Sequence, residues 1–505
     1  MPRYLLALDF GHGGGRAFFY EVESGKHFSS YQKWNYFSPE DDEFRKEFIP
    51  DDFFKILCNQ TKNLLKRHNI KSQDVIGVSS ASMRHSFVFI DQNGKELYGG
   101  PNTDTRGLFY QDIVEEEIKE DLYKLTGQWP PLLYLPTRLL WFKEEKPEIY
   151  RKIKYALSTG DWLIYRLSGE IVSEPSLASS TLLYHLKKRR WLYDVLDDLR
   201  LDDIVLPEII SSGKYVGKLT YESAKLMGLK EGISVVMGGG DTQLGLLSCG
   251  AVDNGDIGVI AGTSTPVMMV LDKPIVDSEK RIWTGSHVLK DKWVLESNAQ
   301  MAGLIYEWLK NNFQKIIGKN NDEIYKYMEK IARDVPPGSN DVIASLGTEI
   351  FNINTLSLIR NSIFSFNQPV HPMNENPASF ADFTRASLEN ISYAIKGNIE
   401  QLEEVSKNKS QSVHVTGGMS KNNLWLEILA NVTGKKVIST SFYEGTSIGC
   451  VICAAVGTNI FKNYKEASKE IVNFKKEIKP DDETVKVYNK TFNNWKEWYD
   501  RLGEL

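Results

Sequence analysis

Short apolar runs that stop at glycine-rich turns are the dominant pattern along this chain. Residues 4–9 and 17–22 predict two strands on either side of such a turn, and residues 75–79 predict a third, fully buried strand. Between them, residues 51–65 have apolar positions at helical spacing, and a pair of Asp residues at their start supplies the N-cap and first-turn charge. The amino-terminal order is therefore strand, strand, helix, strand.

The same order starts again in the second half of the chain. The apolar run 233–237 ends at three glycines and Asp241, residues 257–270 hold two strand-like runs around another turn, and residues 413–418 predict a further strand that ends at glycines. This restart predicts two related halves that meet near residue 247 and face each other across a cleft. Ligands bind at such places because strand ends and helix starts converge there.

The patterns of the remaining segments indicate secondary structure and core packing and no catalytic role. Residues 110–168 have a mostly helical pattern, and the basic run 187–190 lacks interleaved aromatic residues, which favours a solvated loop. Cys450 and Cys453 lie in an apolar stretch that indicates a buried helix and core packing, not a redox turn. Residues 480–505 predict a last helix docked on the body of the protein.

Size and composition narrow the function classes. A chain of 505 residues is too long for one ordinary core, and we expect two large domains, residues 1–246 and 247–505. A net charge of −5 offers no general attraction to nucleic acid or to an anionic membrane, so neither is an expected partner. The first apolar run is too short for a signal peptide or a membrane span, so we expect a cytoplasmic protein. A homodimer is the assembly we consider for it, although the sequence does not fix the oligomeric state.

Two glycine-rich turns and one carboxylate suggest the chemistry. The turn after Asp9 and the turn Gly262-Thr263-Ser264 place small residues between strands, so backbone N–H groups can surround a phosphate. Asp241 comes directly after the three glycines, where it can act on a hydroxyl group or cap the helix that follows; the spacing alone favours neither role. Together these features predict phosphoryl transfer from a nucleotide.

The motifs resemble those of the FGGY carbohydrate kinases, which belong to a superfamily that includes actin and heat-shock chaperone ATPases. The most specific segments are residues 238–243, 262–264, 417–425, 430–434 and 444–449. Residues 82–85 and 101–106 are most similar to the xylulose-kinase-like and autoinducer-2-kinase-like members. The resemblance implies an α/β fold of two actin-like (ribonuclease H-like) domains, with ATP and a sugar bound in the cleft between them.

The resemblance also implies the roles of two carboxylates. Asp241 lies where the family has its catalytic base, which receives the proton of the attacking hydroxyl. Asp9 lies where the family orients Mg²⁺ and ATP, although a local turn or Arg16 could satisfy its charge instead.

Nucleotide contacts are implied on both sides of the cleft. They are His12 and Gly13 in the first turn, Gly262, Thr263 and Ser264 in the second turn, Gly417, Gly418 and Asn422 on the adenine side, and Gly303 nearby. A close helix crossing explains Gly303 almost as well. His12 departs from the family, which has a Thr there, so a hydroxyl contact with the phosphates is missing.

Sugar contacts are implied for Arg84, His85, Asp104 and Tyr134. His85 matches a His of xylulose-kinase-like members, whereas glycerol-kinase-like and autoinducer-2-kinase-like members have Glu there. A surface Arg, a structurally bonded His and a core Tyr are the alternative roles. Asn102 replaces the family's Trp, and we expect Asp104 to contact substrate and Arg106 to be structural.

The sequence therefore predicts an ATP-dependent kinase for a hydroxyl group of a small sugar, ketose or polyol. The alternative is a nucleotide-binding regulatory protein or degenerate kinase of this fold, which His12 and the other departures favour.

Overall fold

A computed structural model gives the fold of residues 2–503, except residues 319, 356–360, 368–376 and 473. Up to residue 250, the strands are β1 (Tyr4–Gly11), β2 (Gly14–Glu21), β3 (His27–Lys33), β4 (Val75–Ser82), β5 (Phe87–Ile90), β6 (Glu96–Gly100), β7 (Tyr155–Ser158), β8 (Val172–Ser173), β9 (Tyr184–His185), β10 (Arg190–Trp191), β11 (Glu208–Ile209), β12 (Tyr215–Lys218) and β13 (Ser234–Gly240). The helices there are α1 (Pro50–Arg67), α2 (Gln111–Glu117), α3 (Leu122–Thr126), α4 (Leu135–Glu145), α5 (Pro147–Tyr150), α6 (Thr159–Ser168), α7 (Pro175–Ser179), α8 (Tyr193–Asp198), α9 (Tyr221–Met227) and α10 (Asp241–Ser248).

The second half has fewer and longer elements. Its strands are β14 (Ile257–Ile260), β15 (Pro266–Leu271), β16 (Trp283–Ser286), β17 (Trp293–Asn298), β18 (Ile343–Ser345), β19 (Ile363–Ser365), β20 (Ser412–Thr416), β21 (Lys436–Thr440) and β22 (Phe474–Ile478). Its helices are α11 (Ala302–Ile317), α12 (Asn321–Arg333), α13 (Phe380–Ser406), α14 (Asn423–Thr433), α15 (Gly445–Gly457), α16 (Tyr464–Ile471) and α17 (Asp482–Gly503).

Two large sheets repeat one mixed strand order. The first has the order β12-β13-β4-β1-β2-β3, and the second has the order β16-β17-β15-β14-β20-β21-β22. In each sheet an antiparallel hairpin, β1–β2 or β14–β15, is followed by two parallel strands and then by an antiparallel edge strand. This repeat confirms the predicted α/β fold class with two actin-like units.

The parallel strands of each sheet end where the glycine-rich turns lie. In the first sheet these are β1, β4 and β13, and in the second they are β14, β20 and β21. Because parallel strands share the edge at which they end, the turns and helix starts that follow them gather at one side of each sheet.

Helix α15 joins the two units in one core. It packs on α10 and also on β1, β4 and β13 of the first sheet. Gly449 makes the crossing possible, because a Cβ there would clash with the backbone carbonyl of Leu244. Cys450 and Cys453 are fully buried in this helix, which confirms core packing.

Several predicted elements differ in extent. Strand β2 begins at Gly14, three residues before the predicted start, because Gly14 and Gly15 already pair with β3. The basic run 187–190 forms the turn of the β9–β10 hairpin, and its last residue, Arg190, belongs to a strand. Helix α17 is the predicted last helix, and residues 504–505 of that prediction lie outside the described residues.

Two further predictions concern the chain as a whole. The boundary near residue 247 falls inside α10, and the assignment of residues 1–246 and 247–505 to separate domains stays a prediction. Across the described ranges, every helix is too short or too polar to cross a membrane.

Candidate active site

Two aromatic side chains hold the first glycine-rich turn by hydrogen bonds. His12 and Gly13 form the exposed turn between β1 and β2. The backbone carbonyl of His12 accepts hydrogen bonds from the Tyr36 hydroxyl at 2.7 Å and from the Trp34 indole at 3.2 Å. Tyr36 and Trp34 therefore hold the carbonyl of His12, and the His12 ring also lies 5.4 Å from the Tyr36 ring.

Asp9 lies on β1 three residues before His12 and is buried. Its carboxylate is 4.0 Å from the Arg16 guanidinium, which lies directly opposite on β2. Burial raises the pKa of Asp9 to about 6, and Arg16 opposes the rise. Because burial destabilises the ionised form of Asp9, a second cation beside it would stabilise its charge.

Asp241 begins α10 directly after β13. Its Oδ1 accepts a hydrogen bond from the Thr242 N–H at 2.8 Å, and its backbone carbonyl accepts one from Thr446 Oγ1 at 3.2 Å. Burial raises the pKa of Asp241 to about 7; Asp9 and Glu296 add to the rise and Arg84 opposes it. Thr446 belongs to α15, so the starts of α10 and α15 meet at the backbone of Asp241.

A buried polar chain supports the peptide that precedes Asp241. The Gly240 N–H donates to Ser176 Oγ at 2.9 Å, and Ser176 Oγ in turn donates to the Glu174 carboxylate. Glu174 also accepts from Ser212 Oγ at 2.6 Å and caps α7. Burial raises the pKa of Glu174 to about 7.

Arg84 connects the two units at the same place. It follows β4, and a Cβ at Gly240 would lie 3.3 Å from its Cγ, so its side chain lies beside the residue that precedes Asp241. Its two terminal nitrogens donate to both carboxylate oxygens of Glu296 on β17, at 2.7 and 2.6 Å. The pair is almost completely buried, so its geometry is strongly constrained.

His85 and Tyr134 lie together next to Arg84. Their rings are 5.0 Å apart in an edge-to-face arrangement, and the Tyr134 hydroxyl donates to Gln128 Oε1 at 3.0 Å. Burial lowers the pKa of His85 to about 3, with Arg84 and Arg138 adding to the effect, so its ring is neutral. Within the described part of the chain, Nδ1 of His85 has no hydrogen-bond partner.

Asp104 is enclosed. Its carboxylate accepts from Arg106 at 2.8 Å and from the Tyr98 hydroxyl, and its side chain has no exposed surface. Arg106 also donates to Glu47 at 2.6 Å. The arrangement agrees with a structural role for Arg106, whereas the substrate contact expected of Asp104 stays a prediction.

The second glycine-rich turn lies between β14 and β15. Thr263 is exposed, and Gly262 and Ser264 are half-buried. Gly303, at the start of α11, packs against this turn so closely that a Cβ would clash with the Gly262 carbonyl. Gly303 therefore allows helix α11 to pack closely against the turn.

The predicted adenine side follows β20, next to the second turn. A Cβ on Gly417 would lie 2.6 Å from the Ala261 carbonyl, and its φ of 101° suits only glycine. Gly418 is exposed and has open space around it. Asn422 caps α14 by accepting from the Trp425 N–H at 3.0 Å, and its amide donates to the Tyr306 hydroxyl at 3.2 Å.

The structure thus brings Asp9, Arg84 and Asp241 to one edge of the first sheet and adds Glu296 from the second. Sequence reasoning missed Glu296, because it lies in the middle of strand β17 with no glycine-rich turn beside it. Its one sequence signal is a carboxylate that directly follows the apolar run Trp293-Val-Leu295, where burial requires a partner.

Comparison with known proteins identifies the family to which this chain belongs. The model of the FGGY family of carbohydrate kinases, N-terminal domain, matches residues 4–248, and that of the C-terminal domain matches residues 258–458. The chain belongs to the FGGY family of carbohydrate kinases and is a carbohydrate kinase, as the motifs predicted.

Individual relatives span nearly the whole chain. It is similar to an autoinducer-2 kinase from Escherichia coli, with 30% identity over 509 residues that cover 99% of this chain and 95% of that protein. Its fold is similar to a ligand-bound xylulose kinase from Lactobacillus acidophilus, with a TM-score of 0.84, 18% identity and coverage of 99% and 98%. It is also similar to Plasmodium falciparum glycerol kinase with ADP, with a TM-score of 0.82, 19% identity and coverage of 98% of each chain.

Proposed function

We propose that this kinase transfers a phosphoryl group from ATP to a hydroxyl group of a small sugar, ketose or polyol, with Asp241 as the catalytic base. The observation that supports this most directly is the position of Asp241 at the start of α10, where Arg84 acts on its carboxylate and Thr446 of the second unit bonds to its backbone carbonyl. The ADP bound to the glycerol kinase of the same fold supports a nucleotide in the cleft.

Asp241 suits the role of a general base. A carboxylate with a pKa of about 7 is ionised for much of the time at neutral pH and holds a proton well enough to receive one from an alcohol. In phosphoryl transfer the protein mainly positions the reactants and stabilises charge, so one such carboxylate is sufficient. The Glu174–Ser176 chain holds the peptide before it in place.

Arg84 and His85 provide the sugar side in this proposal. Polyols need a dense set of donors and acceptors, and a site built from such groups rejects analogues that lack the matching hydroxyls. Arg84 is next to His85, whose neutral ring contacts Tyr134, and among the described residues the Nδ1 of His85 has no hydrogen-bond partner. Asp104 stays a predicted substrate contact, and Arg106 and Tyr98 fix the position of its carboxylate.

The two glycine-rich turns provide the phosphate side, and Gly417 and Gly418 provide the adenine side. Exposed Gly13, Thr263 and Gly418 leave backbone N–H groups accessible at these places. Because both side-chain groups of Asn422 are used within the protein, its backbone and its capping of α14 are its contribution.

Asp9 is the residue that we propose for the metal side. No group of three or more His, Cys, Asp or Glu side chains in the described residues could hold a metal ion alone. Mg²⁺ needs only one or two carboxylates when phosphates and water complete its shell, and buried Asp9 with its raised pKa fits that arrangement. When bound, Mg²⁺ would neutralise charge on the phosphates.

An ADP-release screen tests the proposal. Wild-type protein and Asp241→Asn are assayed with ATP, Mg²⁺ and a panel of ketoses, pentitols, glycerol, aldonates and dihydroxypentanedione. We expect one compound class to stimulate ADP release and Asp241→Asn to reduce that rate by at least about 100-fold, the effect of losing a general base.

The control is Asp52→Asn, which removes an exposed carboxylate on α1 and should leave the rate unchanged. Equal rates for wild type and Asp241→Asn would exclude Asp241 as the base. Nucleotide binding without stimulation by any compound would favour the regulatory alternative.

A further inference from the structure

A row of three side chains crosses the first sheet beside the first turn. Asp9 on β1 lies opposite Arg16 on β2, and Arg16 lies opposite Tyr31 on β3. The Arg16 guanidinium is 5.3 Å from the centre of the Tyr31 ring. Residues that face each other across neighbouring strands project to the same side of a sheet, so Tyr31 shares a face with the carboxylate at the phosphate side of the site.

The glycines of the first turn leave room for the Tyr31 phenol. A Cβ on Gly14 would lie 2.4 Å from the Gln32 carbonyl oxygen and 2.6 Å from the Tyr31 hydroxyl oxygen, and a Cβ on Gly13 would lie 3.4 Å from that hydroxyl. The hydroxyl therefore lies directly over the backbone of the turn, where any other residue at position 14 would displace it. Lys33 lies opposite Gly14 and is exposed, so the same edge of the turn carries two positive charges, those of Lys33 and Arg16.

The phenol also has the properties of a hydrogen-bond donor to an anion. Tyr31 is 48% exposed, and no residue in the described ranges hydrogen-bonds to its hydroxyl. Partial burial raises the pKa of Tyr31, so the hydroxyl keeps its proton at neutral pH. The turn itself offers no hydroxyl, because it consists of His12 and glycines.

We propose that Tyr31 supplies, from the neighbouring strand β3, the hydroxyl group that donates a hydrogen bond to a nucleotide phosphate at the first turn. Gly14 leaves the space that both the Gln32 carbonyl and the phenol occupy. This inference rests on the proposed function, because it requires a nucleotide with its phosphates at this turn.

Binding measurements separate a phosphate contact from a general effect. The imido analogue of ATP with Mg²⁺, and adenosine, are titrated into wild type and Tyr31→Phe by calorimetry. Phenylalanine keeps the ring and its contact with Arg16, so folding should not change. We expect the dissociation constant of the ATP analogue to rise about tenfold, the effect of losing a hydrogen bond to a charged group, and that of adenosine to stay the same.

Two further variants sharpen the test. Tyr215→Phe removes a hydroxyl from another exposed tyrosine, 51% exposed on β12, and should bind the analogue as wild type does. His12→Thr in the Tyr31→Phe background places a hydroxyl back in the turn itself and should recover most of the lost affinity.

The outcomes are distinct for the two proposals. An unchanged affinity of Tyr31→Phe for the ATP analogue, with wild type binding normally, overturns the role of Tyr31 and leaves the proposed function standing. An equal loss for the analogue and for adenosine also overturns it, because a phosphate contact cannot affect adenosine. If wild type binds neither compound, the proposed function fails and this inference fails with it.

Discussion

The guanidinium of Arg84 and the carboxylate of Glu296 form a two-point hydrogen-bonded pair between residues that are 212 positions apart in the chain. One partner follows β4 of the first sheet and the other lies on β17 of the second. The pair therefore ties the two units together beside Asp241, and its two charges act on that carboxylate in opposite directions.

Neutralising Glu296 should shift the pH dependence of the reaction. Burial, Asp9 and Glu296 raise the pKa of Asp241 and Arg84 lowers it, so Glu296→Gln removes one of the effects that oppose Arg84. The pKa of Asp241 should fall below about 7, and the acid limb of the kcat/KM profile should move to lower pH. Rates measured between pH 5 and 9 test this. The control Glu222→Gln changes an exposed carboxylate on α9, and an identical acid limb in all three proteins would contradict the prediction.

Removing the charge of Asp241 should stabilise the empty protein at high pH. The pKa of Asp241 is raised from 3.8 to about 7 on folding, so the folded state binds the proton more tightly than the unfolded chain does. Stability is therefore lost as the pH rises from about 4 to 7, and the loss is complete above 7. Asp241→Asn avoids this loss, so its gain in Tm over wild type should be larger at pH 8.5 than at pH 5. Thermal unfolding of nucleotide-free protein measures it, and a gain independent of pH would show that the charge is not responsible.

Two glycines at the second turn should respond differently to alanine. At Gly262 the nearest atom to a new Cβ is 3.6 Å away, so Gly262→Ala should fold normally. If the phosphates of ATP approach this turn as proposed, the substitution should weaken ATP binding alone. Gly303→Ala would push a Cβ into the Gly262 carbonyl, so it should lower both Tm and nucleotide affinity. Thermal unfolding and titration with the ATP analogue separate the two effects. A Gly262→Ala protein that binds the analogue as wild type does would argue against phosphate approach at this turn.

Adding a side chain where α10 and α15 cross should destabilise the protein. Gly449→Ala would force the two helices apart at the Leu244 carbonyl, and overpacking of this kind costs about 1–3 kcal/mol. We expect a lower midpoint of urea unfolding. Gly285→Ala on β16, where a Cβ meets its nearest atom at 3.7 Å, provides the control. A Gly449→Ala midpoint equal to that of wild type would mean that the helices can move apart freely.

Local sequence patterns predicted most of the fold, but they did not predict the contacts between residues that are distant in sequence. The strand that leads to Asp9 and the helix that starts at Asp241 are encoded by apolar runs and glycines, so both were predicted. Glu296 was not, because its partner is distant in sequence and no local pattern connects the two. Asn422 shows the reverse case, since its spacing to Trp425 is that of an N-cap, a local signal that the family resemblance obscured.

The path of α15 has a consequence for any attempt to divide this protein. A fragment that ends at residue 246 would contain the whole first sheet, yet it would leave Leu5, Ala7 and Ala81 without the cover that Ile448 and Val451 provide. Such a fragment would expose an apolar surface of the sheet to water and would aggregate. The first half of the chain therefore needs the second half to cover its sheet.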